Sequence, residues 1–96
     1  MDLTDIRKDI DKIDSELIKL LEQRMECSKA VAQYKLENNM PILDRNRELL
    51  ILEKVEQKSE KYGTQIKFLF EDIMQISRMS QNRIIGDCPF RETLSK

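Results

Sequence analysis

Three sets of polar residues interrupt apolar patterns in this chain, and together they define one chemistry. Leu3, Ile6, Ile10, Ile13, Leu17 and Leu20 recur at steps of three and four, the spacing of a helix seam. The next position in that register is Arg24, followed by Cys27, Val31 and Tyr34, with Leu21, Met25, Ser28 and Ala32 continuing the stripe alongside. An arginine in such a stripe is costly unless something pairs with it. Lys35 lies eleven residues beyond Arg24, within ~20° of the same helix direction and ~16 Å further along the axis, so both side chains can lean towards one site. Asp44, Arg47 and Glu48 form an i, i+3, i+4 set at a helix start, and Ser77 and Gln81 form an i, i+4 pair on another apolar line. Arg7 flanks the seam near its beginning. Each feature alone has a structural account: a cap, a polar patch, a buried ion pair. Together they place more cations than carboxylates on inward faces. A cavity lined by Arg, Lys, Arg, Gln and Ser suits a small dianion, because planar guanidinium forks grip carboxylates bidentately.

Composition removes other chemistries. The chain has no histidine, the commonest general base near neutral pH, and its two cysteines, Cys27 and Cys88, show no metal-ligand spacing. No metal site and no cofactor are expected. Cys27 reads as a small buried hydrophobe and Cys88 as part of a tail. A net charge of −1 gives no nucleic-acid footprint. No apolar run approaches the ~18 residues of a membrane span, and the N-terminus lacks the basic start of a signal peptide. A cytoplasmic protein is expected.

The elements that must position these residues are helices. Charged residues make up 36% and hydrophobic ones 40%, with only two glycines and two prolines among 96 residues, so an all-α chain is expected. The first helix spans roughly Leu3 to Glu37, capped by Asp2 or Thr4 and stopped by Asn38-Asn39-Met40-Pro41. A helix of ~35 residues is ~50 Å long, more than one small domain can cover. Its seam therefore predicts a dimer in which long helices pair. Asp44 caps a second helix with Leu49, Leu50, Leu52 and Val55 as its apolar face, ending by Gly63. Thr64 caps a third, with a stripe of Ile66, Leu69, Phe70, Ile73, Ile76 and Met79 that reaches Ile84 or Ile85 before Gly86. Residues 1–86 form one helical domain, and 87–96 a C-terminal tail.

The sequence resembles the all-helical, type II chorismate mutases over about residues 3–85. The resemblance is carried by Ile6-Arg7 with Ile10 and Ile13, by Leu20-Leu21-Glu22-Gln23-Arg24, and by Ala30-Val31-Ala32-Gln33-Tyr34-Lys35. Two further segments carry it: Pro41-Ile42-Leu43-Asp44-Arg45-Asn46-Arg47-Glu48 and Ser77-Arg78-Met79-Ser80-Gln81. It implies an intertwined homodimer of three-helix chains, one helix long and two medium. It also implies rearrangement of chorismate to prephenate, on the route to phenylalanine and tyrosine, without metal or cofactor. By this resemblance Arg24 and the partner chain's Arg7 bind the two substrate carboxylates, with Ser77 assisting. Lys35 and Gln81 donate to the ether oxygen of the breaking bond. Glu48, with the backbone near Asp44, holds the ring hydroxyl, and Arg47 orients that acidic turn. The catalytic set is then Lys35, Gln81, Arg24 and Glu48.

One expectation stands apart from the resemblance. Arg7 and Arg24 are seventeen residues apart, ~25 Å along a straight helix and ~100° apart around it, so one helix cannot bring both to one small molecule. If both serve a site, that site is shared between protomers. Two rival readings remain: a lyase of the same fold that eliminates pyruvate from isochorismate, and a non-catalytic helical dimerisation module whose inward polar groups set helix register.

Overall fold

The computed structural model describes residues 2–85, which form three helices: α1 (Leu3–Glu37), α2 (Arg45–Lys58) and α3 (Gly63–Ile85). The tail expected from Asp87 to Lys96, with Cys88, lies outside the described residues. α1 opens at Asp2, whose side chain accepts from the Asp5 N–H at 3.0 Å, and Asp5 adds a negative charge to the first turn. It closes in a Schellman motif: Met40 N–H donates to the Lys35 carbonyl at 2.8 Å and Asn39 N–H to that of Leu36 at 3.4 Å. Asn39 takes the left-handed position with φ 54°, a conformation asparagine tolerates better than most side chains. Pro41 then prevents any continuation.

α2 starts at Asp44, whose Oδ1 accepts from the Arg47 N–H at 3.1 Å, and has Glu48 in its first turn. α3 begins at Gly63 itself, not after a Thr64 cap, with the Tyr62 carbonyl accepting from Ile66 N–H at 2.9 Å. Gly63 therefore does not terminate α2, which ends at Lys58 with Ser59 as its cap. It permits close approach instead, since a Cβ there would meet the Glu56 carbonyl oxygen at 2.5 Å.

α3 is the central element. It packs on both α1 and α2, which do not pack on each other. Its inward line is Phe70, Ile73, Met74, Ser77 and Gln81, all half-buried or buried. Leu69, Ile76 and Met79, expected on the same stripe, stay exposed. α2 turns Glu48, Ile51, Leu52 and Val55 inward and leaves Leu49 and Leu50 outside. The buried apolar core is small, consisting of Ala32, Leu52 and Met74, with no large side chain fully enclosed. The N-terminal half of α1 extends past this core, so Leu3, Ile6, Ile10, Ile13, Leu17 and Leu20 are each 42–58% exposed. The radius of gyration, 16.8 Å, exceeds the ~13 Å of a compact chain of this length.

Candidate active site

Where α1, α3 and the start of α2 converge, they line a half-open cavity of about 310 Å³, near the lower end of the ~300–1,000 Å³ usual for small-molecule sites. α1 contributes Arg24, Ser28, Val31 and Lys35, one face at steps of four, three and four. The α1–α2 loop and first turn of α2 contribute Ile42, Asp44, Arg47 and Glu48, and α3 contributes Met74, Ser77, Arg78 and Gln81. Seven of the eight residues singled out from the sequence thus come together in one chain. The eighth, Arg7, does not line the cavity and is exposed. Cys27, expected to be buried, is exposed at the cavity wall, because α3 covers the neighbouring Ser28 line instead.

The partner of Arg24 is not a carboxylate. Its Nη1 donates to Ser77 Oγ at 3.1 Å, and its guanidinium carbon lies 5.9 Å from the centre of the Phe70 ring. A hydroxyl and a ring face support the guanidinium without neutralising it. Lys35 donates from Nζ to the Ile42 carbonyl oxygen at 2.7 Å. Arg47 gives its backbone N–H to the Asp44 cap. Among the described residues none of these three cations has an ion-pair partner. Glu48 is paired: Arg78 Nη1 donates to its Oε2, and the largely exposed Arg45 stands 4.0 Å from its Oε1. Four cations against two carboxylates leave the wall with a positive excess suited to an anion carrying two charges.

Gln81 is 8% exposed. Its Nε2 donates to Ser28 Oγ at 2.8 Å, while its Oε1 is buried without a partner. Turned end for end, the amide accepts from the Ser28 hydroxyl and leaves its N–H groups for a ligand. The residues not singled out from sequence are Ser28 and Arg78. Ser28 carried a signal, since it lies four residues after Arg24 and seven before Lys35 on one helix face. Arg78 carried none, as a lone arginine on a helix is usually solvated.

A helical chain whose cavity offers unpaired cations and neutral donors to a small dianion defines a class of anion-binding enzyme domain, and comparison with known proteins narrows it. The chain belongs to the type II chorismate mutase family, whose model matches residues 6–82. It is 31% identical over 88 residues to a bifunctional chorismate mutase/prephenate dehydratase of Buchnera aphidicola subsp. Schizaphis graminum, covering 88% of this chain and 23% of that protein. It is 38% identical over 63 residues to the protein of the same description in Aquifex aeolicus, covering 65% of this chain and 17% of that one. It is 35% identical over 61 residues to the chorismate mutase of Methanocaldococcus jannaschii, covering 64% of this chain and 62% of that protein. The chain thus spans about a fifth of the bifunctional relatives' length. No solved structure matches it. Among the described residues no helix is long and apolar enough to cross a membrane.

Proposed function

We propose that the chain is a chorismate mutase, an isomerase that rearranges chorismate to prephenate in the cytoplasm for phenylalanine and tyrosine synthesis. The observation that carries the reading is the set of Arg24, Lys35 and Arg47, cations without ion-pair partners among the described residues, around a cavity sized for a small molecule. The reaction is a [3,3] rearrangement. One C–O bond breaks as one C–C bond forms, and nothing enters or leaves. Chorismate must first fold into a compact diaxial shape, and gripping both carboxylates lowers that conformational penalty. Arg24, steadied by Ser77, takes one carboxylate. Arg7 of a second copy takes the other. Negative charge grows on the ether oxygen as its bond to the ring breaks. The Lys35 ammonium and the Gln81 amide stabilise that charge more in the transition state than in the ground state. Glu48 and the backbone near Asp44 receive the ring hydroxyl, with Arg47 beside them.

An assay of chorismate consumption with product identification tests the function. Prephenate is expected; salicylate with pyruvate from isochorismate, and no turnover of chorismate, would establish the lyase instead. The shared site has its own test. Co-expressed Arg7→Ala and Arg24→Ala chains form heterodimers with one intact and one doubly altered site. Random pairing then restores about a quarter of wild-type activity. Confirmed heterodimers with no recovery would show that Arg7 does not act across the dimer.

A further inference from the structure

Glu48 differs from the other carboxylate of the cavity in being held by a cation on another helix. Its side chain is 12% exposed, and Oε2 accepts from Nη1 of Arg78, itself 31% exposed, on α3. The contact from Arg45 to Oε1 is longer, 4.0 Å, and comes from a side chain 68% exposed, so solvent weakens it. The other carboxylate of the wall, Asp44, is fixed by its own helix start through the Arg47 N–H. Glu48 has no such local anchor. It sits in the first turn of α2, which packs on α3 but not on α1. The polar face of α1, with Arg24 and Lys35, and the carboxylate of Glu48 therefore keep their relative places through α3, and Arg78 is the side chain that makes that connection.

We propose that Arg78 is a positioning residue for Glu48. By holding Oε2 it selects one rotamer of a flexible side chain and leaves Oε1 to accept the ring hydroxyl of the substrate. The role rests on the chorismate mutase reading above. An arginine fits it because a guanidinium is planar, permanently charged and directional, and a fixed partner removes the rotamer freedom that substrate binding would otherwise have to quench. Arg78 also neutralises Glu48 inside a site that must accept a dianion, so the carboxylate needed for the hydroxyl does not repel the substrate's own.

The test combines Arg78→Met and Arg78→Lys with Glu48→Gln, read on chorismate and on an analogue lacking the ring hydroxyl. Arg78→Met is expected to lower kcat/KM for chorismate about tenfold, mostly through KM, because a hydroxyl contact exists before and during the reaction. Arg78→Lys is expected to recover part of the loss. In the Glu48→Gln background Arg78→Met should change kcat/KM less than about twofold, and on the analogue wild type and Arg78→Met should agree. An undiminished effect of Arg78→Met in the Glu48→Gln background would mean direct contact with substrate and overturn the positioning role. An equal loss on the analogue would mean a purely structural tie and overturn it too. A wild-type chain that does not convert chorismate refutes the mutase reading and the proposal together; normal wild-type turnover with an unaffected Arg78→Met refutes the proposal alone.

Discussion

Lys35 holds its ammonium 2.7 Å from the Ile42 carbonyl oxygen, so the group assigned to the ether oxygen is already in place at the cavity wall. Replacing it removes the donor and one tether of the α1–α2 loop but no apolar contact of the core. Lys35→Ala is expected to fold with an unchanged circular dichroism spectrum while turnover falls at least ~100-fold, the usual effect of deleting one such donor. An unchanged rate would remove Lys35 from the ether oxygen. Gln81 makes a separate prediction. Its amide stays neutral across working pH and can donate throughout that range. In Gln81→Glu the carboxyl donates only when protonated, so activity should be low at neutral pH and rise as pH falls towards the ~4.3 of an ordinary glutamic acid. A pH–rate profile of wild type and variant side by side checks this, and parallel profiles would remove Gln81 from the ether oxygen.

At the scale of elements, Gly63 gives the most specific expectation. Because a Cβ at Gly63 would meet the Glu56 carbonyl oxygen at 2.5 Å, Gly63→Ala forces backbone apart where α3 meets α2. It should destabilise the fold by about 1–3 kcal/mol, read as a lower urea midpoint. A midpoint equal to wild type would mean the contact relaxes freely. Both ends of α1 and the start of α2 were legible because they rest on local chemistry: Asp2 and Asp44 as caps, and two asparagines before a proline as a stop. The inward face of α2 was not. Leu49-Leu50-Ile51-Leu52 is apolar in every direction, so periodicity cannot choose a face, and packing on α3 selects Ile51 and Leu52. Gly63 misled for a related reason: a glycine after a charged run has the same signature whether it ends one helix or lets the next approach. Most of the cavity was legible because a polar residue on an apolar line is conspicuous, as with Arg24, Ser77 and Gln81. Arg78 became visible only through Glu48, thirty residues away in sequence.

At the scale of the molecule, the exposed seam of α1 dominates. Six large aliphatic side chains from Leu3 to Leu20 remain 42–58% exposed, and covering them offers on the order of 10 kcal/mol. A second copy laying its own α1 along this face would gain that energy twice over, and the shared site proposed above requires that it bring its Arg7 to the first copy's cavity. Ile13→Asp alters no cavity residue, yet it should shift sedimentation to the monomer and abolish turnover; an active monomer would disprove the shared site. An enzyme completed by its twin, as in the shared site proposed above, also has no fixed rate per chain. Diluted below its pairing constant, such a protein slows without any inhibitor present, and it recovers on concentration. The cell's supply of the polypeptide then sets the quality of each site as well as their number.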